Sequence, residues 1–549
     1  MGAAHMSTEQ TSTAYAEQAT RLVARVDQDG WGSVRPSLYE TARVISAAPW
    51  LPGEPRRLDY LLQAQAPDGS WGEGPEPYRL LPTLSAVEAA LAVLLRGAGS
   101  DQLGARLRAA VEKGIAALRL LPSAGPWPDT AAAELLVPSL VSRINEQLDL
   151  AATEGLAGLG PWQAGPRLAV PGGYHEAAPG YVAQRYEAAG RLPVKFHHTF
   201  EGIAAHLAPV LIPEAQGLLG SSPAATAALA AASPTAAATA RAAAELGAVA
   251  QRYDGLFPEA APILVFERLW VAAALARAGL PAATLPTIRG WVERIYDPAG
   301  VRGAPGLMVD ADDTAMAVLV AALVGRPQDP APLALFHNGS HYDCYIGEDT
   351  GSVTANAHAL QAIGGYLEQC PEEQHTYGPR IQQLAAWLVD AQQPEGHWPD
   401  KWHASPYYAT ERCVTALARY GGEGATAAVD AAAAWTLDTQ RDDGSWGVWG
   451  GTAEETAYAA KILLAASGPS RPARQESALD RAEAYLDATA PGHRHPALWH
   501  DKTLYAPGAM IEAEVLAARE LLRTRHGSAG QRTARADHSY GSDLQGAHT

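Results

Sequence analysis

The chain is poor in several features that would each point to a particular class of protein. It has only three cysteines, Cys344, Cys370 and Cys413, and no two of them form a C-x-x-C pair. A scattered, odd set of cysteines argues against a disulfide framework or a zinc ribbon and predicts a reduced, cytoplasmic protein. The sequence also lacks an apolar run of eighteen residues and a signal peptide, so we expect neither a membrane span nor secretion.

Basic residues are scarce too, because 41 Lys and Arg stand against 59 Asp and Glu, for a net charge of −18. A chain without a basic stripe cannot neutralise the phosphates of a nucleic acid, so nucleic-acid binding is not expected. A small anionic ligand would have to be held by local cations. Since 47% of the 549 residues are hydrophobic, the chain can bury a large core, and its length favours two or three domains.

Three carboxylates occur within four positions, at Asp310, Asp312 and Asp313, directly before the apolar run 317–324. The run ends at a glycine and a proline, which predicts a buried helix with the acids at its N-terminus. Two interpretations are open. In the ordinary one, a single Asp caps the helix and the other two face water. In the other, two carboxyls that cannot both ionise keep a proton at neutral pH, ready for transfer.

A repeat is visible in the sequence, and we call it the Gln–Trp turn. It consists of an aromatic residue, four residues, Gln, three residues, Gly, one residue and Trp, and it occurs at 60–71, 387–398 and 435–446. We expect a helix to end near the Gln and the Trp to fold back, with both side chains satisfying terminal backbone groups. No alternating strand pattern is found. Repeated helix pairs joined by such turns predict an all-α fold of helical toroids.

These residues together resemble one family, the class II terpene cyclases, which include copalyl diphosphate-type diterpene cyclases and, more distantly, squalene–hopene cyclases. Residues 310–316 are similar to the DxDDTAM segment of the family and the Gln–Trp turns to its QW motif. Further similar segments lie at 37–44, 136–140, 198–202, 222–226 and 498–505. The resemblance implies two (α/α) toroids, β and γ, with the active site between them. The expected division is 13–55 and 285–525 for β, 56–284 for the inserted γ domain, and 526–549 for a disordered tail.

The resemblance also implies a reaction. The middle acid, Asp312, would protonate the terminal alkene of a linear isoprenoid diphosphate, while Asp310 and Asp313 tune it. The substrate would be geranylgeranyl or farnesyl diphosphate, and the product a copalyl-, labdane- or drimane-type bicyclic diphosphate. Aromatic faces would shelter the cation, and the diphosphate would be retained.

Three more residues are assigned roles by the same resemblance. Lys502 corresponds to a diphosphate-binding lysine, Glu134 to an acid linked to Mg²⁺, and His198 to the histidine of a terminating His–Asn pair. Ordinary alternatives are a solvated lysine, a helix-exposed glutamate and a packed histidine. The asparagine of that pair is replaced by Gly255, which leaves the base and the product stereochemistry open.

Other functions are compatible with a helical toroid. A protein prenyltransferase would bind a prenyl diphosphate with zinc, and the segment 341–344 contains His, Asp and Cys. A non-catalytic (α/α) scaffold is a second alternative. A class I synthase would need a DDxxD metal motif, and residues 312–316 lack its last Asp. The sequence is compatible with a homodimer and does not decide it.

Overall fold

The computed structural model describes residues 2–97, 101–121, 125–154, 167–207, 217–233, 235–260, 262–348, 350–466, 472–490 and 493–525. The tail predicted to be disordered, 526–549, lies outside these residues. In chain order the helices are α1 (Gly2–Gln28), α2 (Leu38–Ala47), α3 (Glu54–Gln63), α4 (Glu76–Leu95), α5 (Asp101–Leu120), α6 (Ala133–Thr153), α7 (Ala178–Ala189), α8 (Pro223–Ala232), α9 (Ala236–Arg252), α10 (Leu264–Ala278), α11 (Leu285–Ile295), α12 (Ala311–Leu323), α13 (Val353–Leu367), α14 (Gln374–Asp390), α15 (Pro406–Tyr420), α16 (Thr426–Asp438), α17 (Ala453–Ala465), α18 (Ala473–Ala488) and α19 (Gly508–Thr524). Two short strands, β1 (Trp499–His500) and β2 (Leu504–Tyr505), pair as an antiparallel hairpin.

The larger of two helical rings is closed by six inner helices. Following the ring, α10 packs on α12, then α13, α15, α17 and α19, and α19 packs back on α10. The helices α1, α11, α14, α16 and α18 form an outer layer over the gaps between them. The inner helices are apolar on nearly all faces, as α12 illustrates, whereas the outer helix α14 buries only one stripe.

The smaller ring has inner helices α2, α4, α6 and α8, with α3, α5, α7 and α9 outside them. A 3₁₀ turn at Phe200–Gly202 contacts both α6 and α8 and closes the ring. Helix α4 is long and apolar enough to cross a membrane, but 78% of its apolar window is buried inside the protein. The predicted all-α fold of helical toroids is confirmed.

Two helices pack in a different ring from the one that the expected domain division gives them. Helix α2, expected in the β domain, packs on α4 and α8 of the smaller ring. Helix α10, expected in the γ domain, completes the larger ring between α12 and α19. Helices α2 and α10 are both apolar segments, and their composition does not reveal which ring they join.

The Gln–Trp turns have the predicted structure. In each turn the indole N–H donates to a carbonyl in the preceding helix, that of Leu61, Leu388 or Thr436. The Gln amide donates both to the carbonyl of the Gly and to a carbonyl of the next outer helix, at Ala110, Ala428 or Ala478. Each turn therefore ties one outer helix to the next one.

Candidate active site

Helix α12 begins at the cluster of acids, and Asp310 is its N-cap. Asp310 has an extended backbone, and its carboxylate accepts a hydrogen bond of 2.7 Å from the backbone N–H of Asp313. Behind Asp313 lies Gly303, where a Cβ atom would come within 2.8 Å of a carboxylate oxygen of Asp313. Part of the ordinary interpretation therefore holds, since one acid caps the helix, but the other two do not face open water.

Asp310 and Asp313 are buried, at 5% and 6% exposure, and share a side-chain hydrogen bond. Burial raises the pKa of Asp310 well above its usual range, and the neighbouring charge of Asp313 adds to this effect. Burial also raises the pKa of Asp313, to about 7. Neither carboxyl has an ion pair with Lys or Arg among the described residues. The two groups therefore hold a proton near neutral pH.

Asp312 contacts a histidine of the next inner helix. Its Oδ1 atom lies 2.6 Å from Nδ1 of His358 on α13. The Asp312 side chain keeps 14% of its surface exposed, whereas that of His358 keeps 1%. With Nδ1 protonated, the ring donates to Asp312 and stabilises the carboxylate that remains after a proton has left.

Sequence reasoning missed His358. It lies in the middle of a helix whose residues are almost all buried, from Val353 to Leu367. A single imidazole in such a segment was a usable signal, because a buried histidine needs a partner. The identity of that partner, 46 residues earlier in the chain, was not evident without the fold.

Aromatic rings from several elements of the larger ring form a series of contacts that reaches His358, the hydrogen-bond partner of Asp312. Trp270 meets His358 edge-on at 5.4 Å and donates its indole N–H to the hydroxyl of Tyr408 at 2.9 Å. Phe266 packs on Trp270 and Trp499 at 4.3 and 5.7 Å. Such faces attract a carbocation and exclude water.

Two tyrosines indicate that this region contains internal space. Tyr345 and Tyr505 are only half-buried by surface exposure. Burial nevertheless raises the pKa of each well above the usual value for tyrosine, because both lie deep within the protein. A side chain that is both deep and partly uncovered faces an internal hollow rather than bulk solvent.

The structure does not favour the predicted diphosphate contact of Lys502. This side chain is fully buried, and its ammonium donates to Glu40 at 2.7 Å, Glu201 at 2.8 Å and Ser222 at 2.6 Å. We call these four residues the ring junction, since Lys502 follows β1 while its partners lie in the smaller ring. Although burial alone would lower it, the carboxylates of Glu201 and Glu40 raise the pKa of Lys502. All three N–H groups of the ammonium donate to these partners, so none is left for a ligand.

Both ring nitrogens of His198 also have hydrogen-bond partners at the boundary between the two rings. Its Nδ1 lies 2.7 Å from the carbonyl of Gly220, and its Nε2 lies 2.8 Å from Asp501. Although burial alone would lower it, the carboxylate of Asp501 raises the pKa of His198. The ring is therefore held as an imidazolium that donates from both nitrogens, and in that state it has no lone pair with which to accept a proton.

The prediction of Mg²⁺ as a cofactor is wrong. Among the described residues no group of three or more His, Cys, Asp or Glu side chains could hold a metal ion. Glu134 is exposed in the first turn of α6, and the charge that acts on it is that of another acid, Asp129. A cyclisation that is started by protonation needs no metal to begin it. The same finding leaves the zinc alternative without a donor set, and His341 is instead stacked on Trp387 at 4.5 Å.

Comparison with known proteins agrees with this geometry. Residues 342–490 match the family described as "Squalene-hopene cyclase C-terminal domain". The chain is similar to "Copalyl diphosphate synthase" from Streptomyces anulatus, with 70% identity over 95% of this chain and 94% of the relative. It is also similar to "Labda-7,13-dienyl diphosphate synthase" from Streptomyces clavuligerus, with 48% identity over 92% and 93%.

Among solved structures, the chain is similar to "ent-Copalyl diphosphate synthase from Streptomyces platensis", with 41% identity and a TM-score of 0.84. That match covers 93% of this chain and 100% of the other. Identity at these levels extends over nearly whole chains, and the acids lie at the N-terminus of an inner helix of a helical toroid. The chain therefore belongs to the class II terpene cyclases.

Proposed function

We propose that the enzyme cyclises geranylgeranyl diphosphate to a copalyl-type bicyclic diphosphate and keeps the diphosphate on the product. Relatives at 70% and 57% identity bear the name copalyl diphosphate synthase, and one at 48% is named for a labdadienyl diphosphate. These are twenty-carbon products, which favours the longer of the two prenyl diphosphates. The drimane-type product of farnesyl diphosphate is the second candidate.

Asp312 is the general acid in this proposal. The observation that carries it is the pairing of a partly open carboxyl with a buried imidazole, beside aromatic rings and internal space. The proton of Asp312 adds to the terminal alkene, and the tertiary cation is attacked by the next two alkenes in turn. Loss of a proton from the bicyclic cation then leaves a new alkene, so no net proton is consumed.

Asp310 and Asp313 support this acid in two ways. Asp310 fixes the first turn of α12 by capping it, and thereby fixes the direction in which Asp312 points. The proton that the two buried carboxyls share keeps their combined negative charge low beside Asp312. A fully ionised pair would oppose the charge that Asp312 acquires when it gives up its proton.

The two rings have different functions in the enzyme. The larger ring, formed by α1 and by α10 to α19, is the catalytic β domain. The smaller ring, α2 to α9, is the γ domain and closes the active site across the ring junction. The proposed domain division is therefore near residue 33 and near residue 260.

The test is incubation of the purified enzyme with geranylgeranyl diphosphate and, separately, farnesyl diphosphate, followed by phosphatase treatment and mass spectrometry. We expect a bicyclic alcohol isomeric with geranylgeraniol and little conversion of the shorter substrate. If only farnesyl diphosphate were converted efficiently, farnesyl diphosphate would be the substrate instead. Release of inorganic pyrophosphate with a hydrocarbon product would contradict a class II reaction.

A further inference from the structure

Helix α13, which carries His358, is capped at its first turn by a residue that follows it much later in the chain. The carboxylate of Asp400 accepts a hydrogen bond of 3.0 Å from the backbone N–H of Val353. The hydroxyls of Ser352 and Thr354 donate to the same carboxylate at 3.0 and 2.8 Å. The first N–H groups of a helix have no partner within it, and the helix dipole favours a carboxylate beside them. Asp400 therefore holds the start of α13 from a second element.

Helix α13 also has an N-cap of its own, so Asp400 is not needed to begin the helix. The side chain of Ser352 accepts a hydrogen bond of 3.2 Å from the backbone N–H of Ala355. Asp400 in turn accepts a hydrogen bond of 3.3 Å from the backbone N–H of Trp402, in its own segment. The carboxylate thus joins α13 to residues 400–402, which we call the cap segment. This contact fixes where the helix lies.

The position of α13 determines the position of His358, because few other contacts direct the imidazole. Its Nδ1 atom lies 2.6 Å from Asp312, while its Nε2 atom is buried without a hydrogen-bond partner among the described residues. Trp270 meets it edge-on, at 5.4 Å between ring centroids. His358 follows Val353 by five residues, which is about 7.5 Å along the helix axis. A displacement of the first turn therefore carries over to the contact with Asp312.

Asp400 lies close enough to the acid for their charges to interact. Burial raises the pKa of Asp400, the hydrogen bonds from Thr354 and Trp402 act to lower it, and the negative charge of Asp312 raises it again. The cap of α13 is therefore at the end of the helix that faces the acid site.

His500 of β1 holds the cap segment from its other side. Its Nδ1 atom donates to the carbonyl of Lys401 at 2.7 Å, and its backbone N–H donates to the carbonyl of Trp402 at 2.9 Å. Burial lowers the pKa of His500 to about 4, so the imidazole is neutral at pH 7 and its Nε2 atom accepts a hydrogen bond. The hydroxyl of Tyr78, on α4 of the smaller ring, donates to this atom at 2.9 Å. A series of hydrogen bonds therefore runs from the smaller ring through the cap segment to α13.

We propose that Asp400 is a positioning residue of the active site, which holds α13 so that His358 stays in contact with Asp312. Through His500 and Tyr78 the smaller ring takes part in this hold. The inference rests on the proposed function, since it concerns the step that Asp312 carries out. The role requires no contact between Asp400 and the substrate, so it affects kcat rather than KM.

The test measures kcat and KM for cyclisation in Asp400→Ala, Asp400→Asn, His358→Asn and the double variant Asp400→Ala/His358→Asn. We expect kcat to fall about 10- to 50-fold in Asp400→Ala, with KM changed by less than about threefold, because a displaced partner of the acid slows the chemical step. Asp400→Asn keeps one acceptor oxygen for the N–H of Val353 and should recover most of this loss. The double variant should have nearly the same kcat as His358→Asn alone, because Asp400 acts through His358.

Two further variants sharpen the test. Thr235→Ala removes the N-cap of α9, an outer helix of the smaller ring, where the side chain of Thr235 accepts from the backbone N–H of Ala238. It is the matched control for the loss of a cap and should leave kcat and KM unchanged. Tyr78→Phe removes only the hydroxyl that donates to His500, and it should lower kcat by about two- to fivefold.

Proton NMR gives a readout that does not depend on turnover. The short hydrogen bond from Nδ1 of His358 to Asp312 should give a low-field proton resonance that is absent in His358→Asn. We expect this resonance to be lost or shifted upfield in Asp400→Ala and to be retained in Thr235→Ala. An unchanged resonance and an unchanged kcat in Asp400→Ala would overturn the inference.

The double variant distinguishes positioning from a general loss of structure. If Asp400→Ala lowered kcat by the same factor with and without His358, Asp400 would act elsewhere and the inference would be wrong. Should Asp400→Ala fail to fold, Thr354→Val, which removes one hydroxyl donor to Asp400, is compared in the same two backgrounds, and an unchanged kcat there would overturn the inference. A wild-type enzyme that cyclises neither prenyl diphosphate would refute the proposed function, whereas the resonance of His358 would still test the positioning.

Discussion

Two groups of buried carboxyls lie inside the larger ring, and they hold opposite protonation states. The first is the acid site at the start of α12, where Asp310 and Asp313 keep a proton because burial raises their pKa values. The second group contacts α13 one turn after His358, at Gln361, which accepts a hydrogen bond from Arg277. We call this second group the ion cluster, and it consists of Arg277, Glu411, Arg412, Lys461 and Glu514.

In the ion cluster the carboxylates are surrounded by cations. Glu411 pairs with Arg277 and Arg412, and Glu514 pairs with Arg412 and Lys461. Although burial acts to raise both values, these cations lower the pKa of Glu411 and of Glu514. Equal burial therefore gives a charged carboxylate where cations are close and a protonated one where they are absent.

The two groups therefore differ in protonation: the acid site holds a proton near neutral pH, and the ion cluster does not. In the proposed reaction the shared proton lies beside Asp312 and keeps the negative charge around that acid low, while a carboxylate paired with arginine has no proton to give. The ion cluster instead cross-links α10, α15, α17 and α19 in the interior of the ring. Substitutions in either group test this difference.

The largest effect is expected from Asp312→Ala, which removes the proposed general acid. We expect the rate of cyclisation to fall by at least about 10⁴-fold, because alkene protonation has no alternative donor of comparable position. The fold should be retained, which circular dichroism and thermal unfolding can verify. Asp442→Ala, in an exposed turn, is the control and should keep full activity. Normal turnover by Asp312→Ala would refute the assignment of the acid.

A large effect on stability is expected from Glu514→Gln in the ion cluster. The change leaves Arg412 and Lys461 buried with one carboxylate fewer, which should lower the free energy of unfolding by about 3–5 kcal/mol. Urea denaturation measures the loss. Glu512→Gln lies on the same helix with an exposed pair to Arg25, so it should cost less than about 1 kcal/mol. Equal losses in the two variants would mean that the ion cluster is not a buried network of charges.

Much of the fold and part of the site could be predicted from the sequence because they depend on local patterns. The helix after Asp313 follows from an apolar run closed by a glycine and a proline. The Gln–Trp turns follow from a fixed spacing of hydrogen-bonding side chains, and each forms as expected. Such features involve residues near one another in the chain, so their partners are visible in the sequence.

The remaining parts depend on contacts between distant residues. Lys502 looks like a ligand-binding lysine in its own segment, yet its partners Glu40, Glu201 and Ser222 are 280 to 462 residues away. His358 meets Asp312 only because α12 and α13 are neighbours in the ring. Local sequence shows which residues can carry charge or protons, but the fold decides which of these groups neutralise one another.

A smaller effect on rate is expected from His358→Asn. Asparagine can still donate to Asp312, but unlike an imidazole it cannot take up a proton and become a cationic partner of the carboxylate that forms. We expect kcat to fall by about 10- to 100-fold, equivalent to about 1.5–3 kcal/mol, with KM little changed. Steady-state kinetics with the prenyl diphosphate measures both, and His375→Asn, an exposed histidine, serves as the control. Unchanged kcat would show that Asp312 acts without this partner.

The smallest effect is expected from Asp310→Asn, the counterpart of Glu514→Gln in the acid site. Asparagine caps a helix as well as aspartate does, and it replaces a carboxyl that is already protonated, so the free energy of unfolding at pH 5 should change by less than about 1 kcal/mol.

The raised pKa of Asp310 also predicts how the free energy of unfolding changes with pH. Asp310 has a raised pKa in the folded protein, so above the unfolded pKa the folded state binds the extra proton and wild-type stability falls as pH rises. The Asp310→Asn variant lacks that loss of stability. Its free energy of unfolding should therefore rise relative to that of the wild type between pH 5 and pH 8. Urea denaturation at several pH values measures this difference. A loss of 3 kcal/mol or more at pH 8 would mean that Asp310 is an ionised, paired carboxylate like Glu514, and the contrast between the two sites would not hold.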